Sequence, residues 1–199
     1  MAALGWRWKN RKWEKVLPGD QKDTGKLSSV NTNRAHLRRF MLISLSTGSR
    51  SGVTMRLMWR PSPVDPWVDL EAGANYRSGK RETVARNKRR PVVKLPHRLC
   101  THLEPWKQLD EQKGIACVIN CGRDRVASVR GSFAACIRDA GLTEATPYWR
   151  RHTAATWLME TGGDIWEASG YLGMTPEMLT RTYGHHRPDH QESARRAFK

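Results

Sequence analysis

Acidic residues are the scarce class in this chain: 19 Asp and Glu stand against 35 Lys and Arg over 199 residues, a formal charge of +16. That imbalance points away from a basic partner and toward a polyanion, nucleic acid before an anionic membrane surface. Long apolar runs are lacking too. The longest, Phe40 to Leu45, is broken by Ser44 and is far too short to span a bilayer. The first residues are Trp-rich and basic, without the apolar stretch of a secretion signal. Cysteine is sparse. Cys100, Cys117, Cys121 and Cys136 form no Cys-x-x-Cys pair, and no His pair stands near Cys117 and Cys121. A zinc finger is therefore not expected, and free buried thiols are. His185, His186 and His190, with Pro188 between them, lack a common metal-ligand spacing and read as solvated histidines.

What is present follows a regular plan, and the length suits one domain with a substantial core. Residues 1–32 stand apart. Trp6, Trp8 and Trp13 alternate there with Arg7, Lys9, Arg11, Lys12 and Lys15, before Pro18-Gly19-Asp20 and Thr24-Gly25 break any periodicity. This segment reads as a tail or linker, its side chains suited to stacking on bases or to packing on the domain. The domain proper is expected over 33–186, with a C-terminal tail over 187–199.

Leu37, Phe40, Met41, Ile43 and Leu45 predict a helix that Thr47-Gly48 ends. A second helix is expected over 52–59, and Pro61, Pro63 and Pro66 mark a loop. Residues 67–70, 74–77 and 91–96 read as short strands, the last preceded by a basic turn, Arg86-Asn87-Lys88-Arg89-Arg90. Further helices are expected over 99–109, 126–140, 147–160, 164–171 and 175–183, with 115–119 a short apolar run, buried or at an edge. Thr175-Pro176-Glu177 combines a capping hydroxyl, a first-turn proline and an acid near the positive end of the helix dipole. The class is α+β, mainly helical, with a small antiparallel sheet.

Four motifs carry the chemistry. Thr47-Gly48-Ser49-Arg50 sets an arginine after a helix-ending turn. Arg150-Arg151-His152-Thr153 heads an amphipathic helix, Leu172-Gly173-Met174 ends the next, and Thr180-Arg181-Thr182-Tyr183-Gly184-His185-His186 follows. In this order they resemble the catalytic domain of the tyrosine recombinases, the phage-integrase family, with a look of the integrase-like proteins of bacterial prophages and mobile elements. The resemblance runs from about Asn33 to His186 and implies that family's fold, with a three-stranded antiparallel sheet on one side.

The implied activity is site-specific DNA recombination or integration, by cleavage and rejoining through a 3′-phosphotyrosine, with no metal or cofactor. Arg50 and Arg151 would clamp the phosphate, a role that suits the planar, permanently charged guanidinium. Lys88, eight residues before the strand-ending Pro96, would protonate the 5′-oxygen leaving group, and Tyr183 would be the nucleophile. The partner would be double-stranded DNA, with self-association into a tetramer on two duplexes, in the cytoplasm of a bacterium at its nucleoid.

Three positions depart from the family pattern. Val53 stands where an acid is often found. Tyr148 stands for the first His of His-x-x-Arg, leaving a phenol as a phosphate contact. Met174 stands for the His or Trp of Leu-Gly-His. His152, directly after Arg151, reads as a structural neighbour. The alternative these departures leave open is a truncated, catalytically impaired DNA-binding remnant of an integrase.

Overall fold

The computed structural model describes residues 6–9, 12–15, 34–83, 89–142 and 145–198. Near the N-terminus β1 (Trp6–Lys9) pairs antiparallel with β2 (Lys12–Lys15), within the segment read as a tail.

Helix α1 (Ala35–Thr47) buries Leu37, Phe40 and Ile43, the expected apolar stripe, at about 1.5–3 kcal/mol for each side chain. The stripe then continues through Ser44 and Thr47 rather than Leu45. Both hydroxyls donate to carbonyls one turn back, Ser44 Oγ to Phe40 O at 2.5 Å and Thr47 Oγ1 to Ile43 O at 2.6 Å, so they enter the core already satisfied. Gly48 ends the helix at φ +63°, and a Cβ there would overlap the Leu172 side chain.

Helix α2 (Ser51–Met55) is shorter than the expected 52–59. The chain from Leu57 to Trp59 is extended instead, because it finds backbone partners on both sides. Met58 N–H donates to Pro66 O at 2.8 Å, and Trp59 N–H donates to Ala116 O at 3.0 Å. The run 115–119 is therefore interior, with Val118 and Ile119 fully buried.

The three-stranded sheet has the order β3 (Trp67–Asp69), β4 (Ala74–Tyr76), β5 (Val93–Lys94), antiparallel throughout. Next come α3 (His97–Gln112) and a small hairpin, β6 (Asn120–Cys121) with β7 (Asp124–Arg125). The hairpin corrects the helix expected from 126. Val126 N–H still donates to Ile119 O, and α4 begins only at Arg130, running Arg130–Asp139. The last helices are α5 (Trp149–Glu160), α6 (Ile165–Leu172), α7 (Pro176–Tyr183) and α8 (Glu192–Ala197), with a 3-10 turn over Gly184–His186. Thr175 caps α7 as its sequence predicts, its hydroxyl accepting from Met178 N–H. Among the described residues no helix is long and apolar enough to cross a membrane.

Two apolar cores result. One joins α1, the sheet, α3 and α4 around Phe40, Leu57, Leu103 and Phe133. The other joins α5, α6 and α7 around Ala155, Met159, Leu172 and Leu179. The first core contains one carboxylate, Asp110, which accepts from both terminal nitrogens of Arg39, from Trp59 Nε1 at 2.9 Å and from Asn120 Nδ2 at 3.0 Å. Removing one partner of such a pair strands a buried charge. Asp110→Ala is expected to cost about 3–5 kcal/mol, read as a lowered midpoint in denaturant unfolding.

Candidate active site

Four chain segments meet where the two cores adjoin: the Thr47–Arg50 turn after α1, the start of α5, the end of α6 and the end of α7. Arg77 ties two of them together, the turn after α1 and the end of α6. It is 3% exposed. Its Nε donates to Ser49 Oγ at 3.0 Å, its NH2 to Thr47 O, and its NH1 to Tyr171 O at 2.7 Å. Burial first, and then Arg151, push its guanidinium down to about 10. The Tyr171 ring lies beneath the cation, and its hydroxyl bonds Ser46 O at 2.9 Å.

The two neighbouring arginines of α5 diverge, as positions about 100° apart on a helix must. Arg150 turns to the first core. Its guanidinium lies 3.8 Å over the Phe40 ring and donates to Pro147 O and Ser51 Oγ. Arg151 turns to the turn after α1, donating from NH1 to Gly48 O at 2.7 Å. Burial lowers the Arg151 pKa, and Arg50 lowers it further, so two like charges share one neighbourhood. Arg50 NH1 donates to Arg89 O at 2.9 Å. Among the described residues no carboxylate pairs with Arg50, Arg77 or Arg151. This concentration of partly buried cations leaves a net positive charge at the place where the segments meet.

Tyr183, the last residue of α7, is 7% exposed and belongs to the second core. Its phenol feels Arg151, which draws its pKa down, but burial and Tyr148 raise it on balance. The phenol oxygen lies 2.6 Å from His152 Nδ1. Tyr148 is exposed and meets the His152 ring edge-on at 4.8 Å between centroids. Met174 is buried in the second core, with no polar atom to offer. Its neighbour Gly173 has φ +66°, and a Cβ there would lie 2.9 Å from Arg89 O and from Pro91 Cδ.

Arg50, Arg151, Tyr148 and Tyr183 are thus brought together. Lys88 lies outside the described residues, although the carbonyl of the next residue, Arg89, is the one that holds Arg50. Arg77 escaped the sequence reading, and His152 was read only as a structural neighbour. Arg77 carries no local signal, since it is one basic residue among 35 at the end of a short strand. His152 had one: Tyr148 and His152 stand four apart, on one face of a helix start. The His185 and His186 rings lie 4.0 Å apart between centroids, tilted by 41°, and among the described residues no three potential ligands gather as a metal site. Gly173→Ala is expected to displace residues 89–91, cost about 1–3 kcal/mol by overpacking and free Arg50 from its carbonyl. Thermal unfolding and a DNA-binding titration of the variant check this.

No family model matches the chain, and no curated protein matches it. Solved structures do. The catalytic domain of bacteriophage HP1 integrase aligns over 83% of this chain and 86% of its own, at 22% identity and a TM-score of 0.54. XerA recombinase aligns over 86% of this chain and 60% of its own, at 19% identity and a TM-score of 0.59. The Tn1549 transposon integrase, in complex with circular intermediate DNA, aligns over 90% of this chain and 62% of its own, at 15% identity and a TM-score of 0.61. The chain spans less than two thirds of those last two structures. Its fold is that of the tyrosine recombinase catalytic domain.

Proposed function

We propose that the chain is the catalytic domain of a tyrosine recombinase, spanning about 33–186, that cuts and rejoins double-stranded DNA through a 3′-phosphotyrosine at Tyr183. The observation that carries this reading is the pair Arg50 and Arg151, which have no carboxylate partner among the described residues, beside the buried phenol of Tyr183. Solvated surface arginines would not explain that arrangement. A phosphodiester would supply the missing negative charge, and the two guanidiniums would stabilise the charge that grows on its oxygens during attack.

Tyr183 Oη attacks the scissile phosphorus, the P–O5′ bond breaks, and the 3′-phosphate remains on the tyrosine. Lys88 is the proposed proton donor to the departing 5′-oxygen, by its position in the motif order. The released 5′-hydroxyl, or one from another strand, attacks the phosphotyrosine and restores the phosphodiester. No step consumes a nucleotide, since the bond energy is stored in the protein–DNA link. Recombination between two duplexes requires self-association, which is part of the proposal.

A second reading has its own observation. Met174 offers no donor to phosphate, and Tyr148 is a poor base near neutral pH, so a DNA-binding remnant without strand cleavage would carry the same basic site. Covalent trapping separates the two. Nicked duplexes made from the sequences flanking the chain's own gene are expected to give a protein–DNA band under denaturing conditions, and Tyr183→Phe to give none while still binding. Arg50→Ala and Arg151→Ala are expected each to slow its formation by about 10²–10³-fold. DNA binding without a band from the native protein, and with a band from Tyr148→His/Met174→His, would establish the remnant.

DNA affinity should also fall steeply with salt, as counterion release from phosphate contacts demands. Fluorescence anisotropy of a labelled duplex across a salt series measures the slope, and a flat series would contradict a basic DNA-binding face.

A further inference from the structure

We propose that His152 is the general base for Tyr183, and this rests on the phosphotyrosine reading above. A phenol near neutral pH is almost entirely protonated, and burial pushes that of Tyr183 further from ionisation. The nucleophile therefore needs a proton acceptor in direct contact. His152 Nδ1 is at 2.6 Å from its oxygen, within the range for proton transfer. With the phenol donating to Nδ1, the ring carries its own proton on Nε2, the tautomer in which Nδ1 has a free lone pair.

Three further features fit the role. The two rings meet at 5.8 Å between centroids with an interplanar angle of 49°, so the contact is a hydrogen bond and not a stack. Tyr148 meets the imidazole edge-on, at 76°, and so restricts its rotation. His152 is also exposed while Tyr183 is buried, so a proton taken from the phenol has a path to solvent. The charged and titratable groups that bear on the Tyr183 phenol are Tyr148, at the N-cap of α5, and Arg151 within it. Neither is a carboxylate or imidazole that could replace His152.

The step balances. The Tyr183 O–H bond breaks and its proton passes to Nδ1, giving an imidazolium. The phenolate oxygen forms the bond to phosphorus, and the P–O5′ bond breaks. The 5′-oxygen takes a proton from Lys88, in the reading above, or from water. On rejoining, the attacking 5′-hydroxyl gives its proton back to Lys88 or to water as the P–O5′ bond forms, and the imidazolium returns its proton to the tyrosine oxygen as the phosphotyrosine bond breaks.

The test is the rate of covalent protein–DNA formation on nicked duplexes, for native protein, Tyr183→Phe, Lys88→Ala, His152→Gln and His152→Ala. Glutamine keeps a hydrogen-bond acceptor but cannot hold the proton, so a merely structural contact would survive the change. The expected result is a band from the native protein, none from Tyr183→Phe, and formation slowed by about 10²–10⁴-fold in His152→Gln. Far-UV circular dichroism and thermal unfolding should remain native-like, since the side chain is exposed. Added imidazole should restore part of the rate in His152→Ala.

A duplex with sulfur in place of the bridging 5′-oxygen has a leaving group that needs no proton. It should rescue Lys88→Ala and leave His152→Gln slow. Equal rates for native and His152→Gln would overturn the role of His152 while leaving the phosphotyrosine reading intact. No band from the native protein would overturn that reading itself, and the assignment of His152 with it. Nitrogen-15 spectra of the DNA-free protein provide a readout without activity. An unprotonated Nδ1 whose signal moves in Tyr183→Phe is expected, and a protonated Nδ1 would refute the assignment.

Discussion

Two buried guanidiniums grip the same short turn. Arg77 bonds Thr47 O, Ser49 Oγ and Tyr171 O, and Arg151 bonds Gly48 O. Desolvating a cation is costly unless something compensates. Here the compensation is made of carbonyl and hydroxyl dipoles, with no carboxylate among the described residues. Dipoles satisfy the hydrogen-bonding capacity of a guanidinium but leave its net charge in place. The turn after α1, the start of α5, the end of α6 and the end of the central strand β4 are thus held in register by groups that remain positive. A carboxylate would have provided the same rigidity while cancelling that charge.

The rest of the site depends on that arrangement. With Arg151 anchored on Gly48, α5 has a fixed rotation about its axis, which directs Arg150 onto Phe40 and His152 onto Tyr183. Gly48 itself leaves no room for a side chain, because Leu172 packs where a Cβ would be. Gly173 performs the same service on the other side, admitting the 89–91 segment whose carbonyl bonds Arg50. The glycines of the two motifs are thus places of close approach, Gly48 to the Leu172 side chain and Gly173 to the Arg89 carbonyl, and both adopt the positive φ that glycine tolerates.

The departures from the family pattern acquire physical content in this setting. Met174 has joined the second core, where a thioether packs without a polar partner. Tyr148 is exposed and lies against the imidazole of His152. The position read as a phosphate-contacting phenol is therefore occupied by a side chain that lies against a neighbouring ring. Judged only by the imidazoles that Tyr148 and Met174 replace, the site looks depleted. The contact between His152 and Tyr183 adds a nitrogen that the linear motif did not place there.

The sequence by itself determined the local elements and the order of the motifs. The stripe Leu37, Phe40, Ile43, the stop at Gly48, the cap at Thr175 and the three short strands are written in spacing and residue type, because they depend on interactions within a few residues. Charge was equally legible, since it is a sum over the chain. Tertiary structure decided the rest. The extended run from Leu57 to Trp59 replaced helix because Pro66 and Ala116 offered backbone partners, and the hairpin at Asn120–Arg125 shortened the helix after it. The assignment of Arg77 and His152 to the site was also tertiary. Their partners, Ser49, Thr47 and Tyr171 for one and Tyr183 for the other, lie far off along the chain, and no local pattern records a contact made only when four segments are packed together.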